Sequence, residues 1–234
     1  IEGKDSINKK ISVNIQDTSA CPLYLGKLIN DVEIKDSPKW LKSKLSSLGM
    51  KSINIVVDLS NYVMLTLGQP MHIFDFDKLP NKKINVGYSS SKKTLKTLDS
   101  VDRKLSVKNL LIKDGEDPIA IAGVIGGQNT EVNSKTKNIF IESALFDPIV
   151  IRKSAKSVDL STDASRRYER SVDSRMAKIA IKILTGLIIK YAGGKACKDL
   201  IESGKEPENN HKIIFNIDDC NSFLGTSLNQ KEIE

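Results

Sequence analysis

Two short runs of alternating apolar and polar residues lie on either side of a glycine-containing segment near the middle of the chain. Ile119 and Ile121 belong to the first run, and Ile139 and Ile141 belong to the second. Alternation with a period of two is typical of half-buried strands, so the pattern predicts one strand in each run. Glycines between the runs allow the backbone to approach a ligand closely. Because Glu142 directly follows the second run, we expect a pocket with a glycine floor and one acid at its rim, suited to a small polar molecule.

The same segment also fits a simpler structure without any pocket. A glycine turn can join the two runs into a hairpin, and Glu142 then faces solvent. These residues alone do not decide between the pocket and the hairpin, so both interpretations stay open at this point.

A pattern with helical period precedes this segment. Apolar residues over 56–67 recur at helical spacing, and Gly68 has the position of a C-terminal stop. We therefore expect Asn61 on a helix and His72 in a loop just past it. A lone histidine is more often a packing residue than a catalytic one, and the role of Asn61 is still more ambiguous. Two interpretations therefore stay open: both residues serve only the fold, or both share a polar site with Glu142.

Proline beside a capping residue marks the start of two further helices, at Ser37-Pro38 and at Asp147-Pro148. Gly49 ends the first of them. Four residues of that helix are predicted to share its buried side: Trp40, Leu41, Leu45 and Leu48.

The remaining patterns complete the expected fold. A strand is predicted from Leu23, and residues 82–113 predict antiparallel strands with a basic outer face. Asp173 is expected to cap a helix of about five turns that ends near Tyr191. Together these elements predict an α/β (mixed α+β) fold with a mixed, largely antiparallel sheet flanked by helices.

Changes in polarity along the chain suggest four segments. The main body is expected at 19–200, and a polar linker that contains a proline follows it. The predicted flanking segments are a tail of a preceding domain or linker at 1–18, the linker at 201–211, and the truncated start of a further domain at 212–234.

Composition narrows the class of protein. The chain has 234 residues, of which 39% are hydrophobic and 28% charged, values that are typical of globular proteins. A net charge of +7 permits an anionic partner such as nucleic acid, although the lysines are spread along the chain. Three widely separated cysteines without C-x-x-C spacing indicate a reduced, cytoplasmic protein and predict neither a disulfide framework nor a metal site. We expect no membrane span or export signal. The first residue is not Met, and the ends suggest a piece of a longer protein.

Several segments together resemble one family. They are VVDLSNYVMLTLGQPMHIFD, then IAGVIGG followed by EV, then IESALFDP with IRKSAK, and finally TDASRRYERSVD. In this order, over about residues 21–173, they resemble the B3/B4 editing region of the β subunit of bacterial phenylalanyl-tRNA synthetase. The part after about residue 206 is similar to the start of its B5 domain. This sequence departs from the family's usual residues at Ser60, Ser171 and Ser174, which lie beside the motifs.

The resemblance implies a function, partners and a set of pocket residues. It implies a module that hydrolyses tyrosine wrongly attached to phenylalanine tRNA, within an α2β2 heterotetramer whose α subunit holds the synthetic centre with its ATP and magnesium. No cofactor is implied for this part of the chain, and no residue is assigned as catalytic. Glu142 and His72 would bracket the tyrosine hydroxyl, with Asn61 nearby. Five further residues would form the wall and side of the pocket: Ala122, Gly123, Gly126, Thr162 and Ala164.

Two other functions remain possible from sequence. The chain could be a non-catalytic RNA-binding or scaffolding module that uses its basic strands together with Arg166, Arg167 and Arg170. It could also be an independent small-molecule-binding protein, although the abrupt ends speak against that. Glu142 and the glycine floor favour editing, because a scaffold has no need of them.

Overall fold

The computed structural model describes residues 2–89, 93–207 and 214–233. Across these ranges the chain forms thirteen strands and seven α-helices. The strands are β1 (Glu2–Ser6), β2 (Ser12–Ile15), β3 (Leu23–Asn30), β4 (Met71–Asp75), β5 (Lys83–Tyr88), β6 (Thr94–Lys96), β7 (Asp102–Lys104), β8 (Leu110–Asp114), β9 (Asp117–Ile121), β10 (Ile125–Gly126), β11 (Ile139–Leu145), β12 (Lys195–Lys198) and β13 (Ile201–Gly204). The helices are α1 (Lys39–Ser47), α2 (Ile55–Leu67), α3 (Pro148–Ser157), α4 (Asp163–Tyr168), α5 (Met176–Ala192), α6 (Ile217–Leu224) and α7 (Gln230–Ile233).

The strands form two main sheets and one small ribbon. The first sheet has six strands in the order β1-β12-β3-β11-β4, with β13 also paired to β3. The second has five strands in the order β10-β9-β8-β5-β2, and β6 pairs with β7. Only the β1–β12 and β2–β5 pairs among the described strands are parallel. The predicted mixed, largely antiparallel α/β fold is confirmed, with two main sheets in place of the one expected.

Apolar layers cover both faces of the six-stranded sheet. Leu23, Leu25 and Ile29 of β3 pack with residues of α1, α2 and α5. Tyr24 and Leu28, on the other face of the same strand, pack with residues of the five-stranded sheet and of α3. The six-stranded sheet is therefore a central layer between helices and a second sheet.

The two strands that were expected to be half-buried are buried almost completely. All seven residues of β11 are buried, as are four of the five in β9. β11 lies between β3 and β4 and is covered on both faces, so its polar residues Glu142 and Ser143 point into the interior. The half-buried prediction was wrong because alternation along a strand does not reveal a second covering layer.

The start of the chain contributes to both sheets. Residues 1–18, interpreted from sequence as a tail or linker, provide β1 to the first sheet and β2 to the second. Ile7 and Ile11 between them are buried in the layer that joins the sheets. At the other end, β13 lies within the predicted linker and pairs with β3. Residues 208–213, which include the end of that linker, lie outside the described residues.

Two of the predicted helix ends are confirmed. The Asp147 carboxylate accepts a hydrogen bond of 2.8 Å from the Val150 N–H and so caps α3. Gly68 ends α2 with a φ of 75°, and its N–H donates to the Met64 carbonyl. None of the helices in the described ranges is long and apolar enough to span a membrane.

Three details of the other helices differ from the sequence prediction. α1 begins at Lys39 rather than at Pro38, and the Ser37 hydroxyl donates to Asp58 instead of capping the helix. Leu48 is 62% exposed, because α1 has ended before it. α5 begins at Met176, since the Asp173 carboxylate binds the backbone and guanidinium of Arg175 ahead of the helix.

Candidate functional site

A narrow cavity of ≈ 60 Å³ lies where β4, β9, β10, β11 and α4 meet. Its polar side chains are those of His72, Glu142 and Tyr168. Small and apolar residues line the rest, among them Gly123, Gly126, Met71, Ile121 and Ala164. Residues from both sheets and from one helix thus meet around a single acid.

Strand pairing places Glu142 beside His72. In the antiparallel register of β11 and β4 the two residues are direct partners, so their side chains lie on the same face of the sheet. The sequence placed His72 in a loop, which was wrong. Only Gln69 and Pro70 separate the helix-ending Gly68 from β4, so the chain has already entered the sheet when it reaches the histidine.

Glu142 is buried, with 5% of the residue exposed. Its Oε2 accepts a hydrogen bond of 2.9 Å from the Tyr24 hydroxyl, whereas its Oε1 accepts none from a described residue. Burial raises the pKa of Glu142 to about 7, and the Tyr24 hydrogen bond opposes that rise. No basic side chain in the described ranges forms an ion pair with it. The site therefore holds a carboxyl group that has an unused acceptor and titrates near neutral pH.

His72 is neutral at neutral pH, because burial lowers its pKa to about 4. Its ring meets the Phe74 ring nearly edge-on, with the centroids 4.5 Å apart. A Cβ built on Gly126 would lie 2.4 Å from His72 Cε1, so only glycine leaves room for this imidazole. Within the described part of the chain the imidazole has no hydrogen-bond partner, which leaves its nitrogens available to a ligand.

Gly123 occupies a crowded position with a φ of 65°, a conformation that favours glycine. A Cβ there would lie 3.0 Å from both Ile151 of α3 and Tyr168 of α4. This glycine therefore allows α3 and α4 to pack closely against the glycine segment.

The other predicted wall residues have different positions. Ala164 lines the cavity. Ala122 is fully buried next to it and does not line it. The Thr162 hydroxyl donates 2.8 Å to the Val124 carbonyl and caps α4, so this side chain fixes the helix against the glycine segment instead of lining the cavity.

Asn61 lies on α2 as predicted, but it lines a second cavity of ≈ 330 Å³. Met71 and His72 line both cavities. His72 thus lies in the partition between the two cavities, of which the first is lined by Glu142 and the second by Asn61.

Comparison with known proteins shows the family to which this chain belongs. The B3/4 domain family matches residues 20–193. The chain belongs to that family. It is 40% identical over 233 residues to the phenylalanine–tRNA ligase β subunit of Syntrophotalea carbinolica, covering 100% of this chain and 29% of that protein. It is 42% identical over 223 residues to the corresponding subunit of Dehalococcoides mccartyi, covering 95% of this chain and 27% of that protein. The chain therefore spans less than a third of the length of these relatives.

A solved structure is similar in fold to this B3/4 domain. It is the crystal structure of an N-terminal fragment of the phenylalanyl-tRNA synthetase β subunit from Pyrococcus horikoshii. The match covers 99% of this chain and 63% of the other, with a TM-score of 0.52 and 16% identity. At that identity the likeness concerns the fold alone.

Three residues at the B3/4 site were missed from sequence. The Tyr24 hydroxyl donates to Glu142, and the single hydrogen of the Tyr168 hydroxyl is shared between the carbonyls of Pro70 at 3.0 Å and Ala144 at 3.1 Å. Gln69 is fully buried, and its amide donates 3.0 Å to the Ala144 carbonyl. The sequence signal was slight. A glutamine before a proline does not reveal from sequence that it is buried. Once it is buried, its amide needs internal partners, and the strand pairing shows where those partners are.

Proposed function

We propose that this chain is the B3/4 segment of a phenylalanine–tRNA ligase β subunit, and that its cavity removes tyrosine wrongly attached to phenylalanine tRNA. The names of the relatives and the match to the B3/4 domain support the first part. For the second part, support comes from the buried Glu142, which lines a narrow cavity, and this is the observation that carries the proposal.

A carboxylate in this position favours tyrosine over phenylalanine. Tyrosine differs by one hydroxyl group, which an apolar synthetic pocket rejects only weakly, by on the order of a hundredfold. In the editing cavity the phenol of a bound tyrosine donates to Glu142 Oε1, the oxygen that has no internal donor. A bound phenylalanine leaves that oxygen desolvated and unpaired, at a cost of about 1–3 kcal/mol. The editing cavity thereby favours tyrosine, whereas a synthetic pocket favours phenylalanine.

The surrounding residues hold the rest of the aminoacyl group. Gly123, Gly126 and Ala164 leave the space for it, and the ester lies beside His72. A neutral imidazole can hold a water near the ester carbonyl, and the ester is already activated, so positioning supplies much of the rate. We assign no residue as general base. The terminal ribose hydroxyl of the tRNA assists the attack of the water.

For the whole protein we propose the partners that the relatives' names and the family resemblance together imply. These are phenylalanine tRNA and an α subunit in an α2β2 assembly, with ATP and magnesium used at the synthetic centre of that α subunit. No cofactor is assigned to this chain. Within the chain we propose that 19–200 is the editing domain and that 212–234 begins another, because α6 and α7 within that segment bury none of their residues.

The test is deacylation of tyrosyl- and phenylalanyl-tRNA by the full-length β subunit assembled with its α subunit. In the Glu142→Ala variant, the preference for tyrosyl- over phenylalanyl-tRNA should fall roughly 10- to 100-fold. This corresponds to the loss of one hydrogen bond to a charged group. Glu142→Gln retains an acceptor oxygen and should lose less. Equal loss on both substrates would place Glu142 in the chemical step, and hydrolysis of neither substrate by the unaltered enzyme would overturn the editing proposal.

A further inference from the structure

Helix α4 lines the cavity, and helix α3 packs beside α4 against the same glycine segment. Their inner residues Ile151 and Tyr168 both approach Gly123, and Ala164 of α4 lines the cavity itself. The Arg152 guanidinium of α3 donates 3.2 Å to the carbonyl of Glu169 just after α4. The two helices are thus held together as one surface whose inner side faces the site.

The outer side of this surface is strongly basic. Arg152, Lys153 and Lys156 are exposed on α3, a helix without an acidic residue. Arg166 of α4 and Arg170 just beyond it are exposed as well. We call these five residues the α3–α4 basic face.

Most of this positive charge is not neutralised by the protein. Arg170 pairs with Glu169 at 3.0 Å. Lys153, Lys156, Arg152 and Arg166 form no ion pair with any described carboxylate. Arginines and lysines clustered in this way attract phosphates, and each contact releases counterions from a nucleic acid.

We infer that the α3–α4 basic face binds the phosphate backbone of the acceptor end of a tRNA while the terminal ester of that tRNA enters the cavity. The helices are about 10–12 Å across, so phosphates on the outer side of α4 lie about one helix diameter from the cavity that its inner side lines, and phosphates on α3 lie on the neighbouring helix. The part of the inference that concerns the ester rests on the proposed function, whereas the phosphate contact does not.

The experiment compares two pairs of lysines that differ in position but not in charge. Lys153→Gln with Lys156→Gln removes two cations from the basic face. Lys39→Gln with Lys44→Gln removes two from α1, which carries exposed lysines without ion pairs in the described ranges and packs on the opposite face of the six-stranded sheet. Binding of uncharged phenylalanine tRNA to the 234-residue chain is measured across a range of salt concentrations.

For the α3 pair we expect tRNA affinity to fall roughly 10- to 50-fold near 0.1 M salt. The slope of log K against log salt should decrease by about 1.4–1.8, the value for two lost phosphate contacts. The α1 pair should change neither quantity. An equal effect of both pairs would mean that binding follows net charge alone, and an unchanged slope for the α3 pair would mean that the face does not bind phosphate. Either result overturns the inference.

A second readout separates this inference from the editing proposal. In the full-length β subunit assembled with its α subunit, the α3 pair should raise KM for tyrosyl-tRNA deacylation without changing kcat, and should leave hydrolysis of tyrosine methyl ester unchanged. If the unaltered protein binds tRNA through Lys153 and Lys156 but deacylates nothing, the editing proposal fails and the phosphate contact stands. If kcat falls and KM does not, these lysines act on the site and the inference fails.

Discussion

The Tyr24 hydroxyl donates a hydrogen bond of 2.9 Å to Glu142 Oε2 across strands β3 and β11, although the two residues lie 118 positions apart in sequence. Both side chains are buried on the same face of the six-stranded sheet. One phenol of the protein thus binds one carboxylate oxygen and leaves the other without a donor among the described residues. Tyr24 is a positioning residue for Glu142, and its removal has a defined consequence.

We expect Tyr24→Phe to weaken tyrosine selection without abolishing hydrolysis. The Tyr24 hydrogen bond lowers the pKa of Glu142 against the effect of burial, so its loss raises that pKa above about 7. Less carboxylate is then present at neutral pH to accept the substrate phenol. The preference for tyrosyl- over phenylalanyl-tRNA should drop at pH 7 and recover as the pH increases, and a pH profile of the two deacylation rates measures this.

Tyr88→Phe is the control for this substitution. Tyr88 is a partly buried tyrosine at the end of β5, in the other sheet, and it does not line the cavity. Its loss of a hydroxyl should leave the pH profile unchanged. If Tyr24→Phe lowers both deacylation rates equally at every pH, Tyr24 supports the fold and has no specific effect on Glu142.

Glu142 should also make stability depend on pH. Folding raises its pKa from 4.5 to about 7, so folding favours the protonated form. This contribution to the free energy of unfolding is fully present below pH 4.5 and is lost as the pH rises through about 7. Its size is about 3 kcal/mol. We expect Glu142→Gln to match the unaltered chain near pH 4 and to be more stable at pH 8, as measured by denaturant unfolding at both values. Equal stability of the two proteins at pH 8 would contradict the raised pKa.

The helices and strands of this fold were easier to predict than which of them pair or pack together. Helices α2 and α3 followed from periodicity and capping, because both signals act between residues close in sequence. The position of β11 between β3 and β4 depends on pairing between distant segments, which no local pattern encodes. The half-buried expectation for Ile139 and Ile141 was wrong because the layers that cover the two faces of β11 also come from distant segments.

In the candidate site, too, the residue types could be predicted from sequence but their arrangement could not. Glu142, His72 and Gly126 come together because β11 pairs with β4 and because β10 passes over the imidazole. The sequence offered these residue types but not their geometry, and it gave no reason to single out Tyr24. A tyrosine within the apolar run of β3 resembles any other core residue until its partner across the sheet is known.

Asp58 offers a prediction on stability alone. This fully buried carboxylate accepts hydrogen bonds from the Ser37 hydroxyl at 2.6 Å, the Ile53 N–H at 2.8 Å and the Ser52 hydroxyl. It ties the segment before α1 to the start of α2. Asp58→Ala should lower the free energy of unfolding by about 3 kcal/mol, because several buried donors lose their acceptor. Ser37→Ala removes one of them and should cost about 1 kcal/mol. Similar small losses from both variants would show that water replaces the carboxylate.

The last prediction concerns the contact between Gly126 and His72. A Cβ at position 126 would lie 2.4 Å from His72 Cε1 and 2.6 Å from Nε2, so Gly126→Ala forces the imidazole to move. The backbone of Gly126 is not in the left-handed region, and alanine is therefore tolerated there apart from this contact. We expect a loss of about 1–3 kcal/mol in stability and a loss on the order of 10²-fold in tyrosyl-tRNA deacylation, since the histidine is displaced from the partition between the cavities.

Two further variants show whether His72 is the cause. Gly186→Ala adds a Cβ that meets nothing within 4 Å on α5, so it should raise stability by about 0.5–1 kcal/mol and leave deacylation unchanged. Adding His72→Ala to Gly126→Ala removes the clash, so the double variant should regain stability while deacylation stays low. A double variant no more stable than Gly126→Ala would mean that the alanine disturbs the β9–β10 backbone instead of the imidazole. If Gly126→Ala deacylates tyrosyl-tRNA at the rate of the unaltered protein, hydrolysis does not depend on the position of the His72 imidazole.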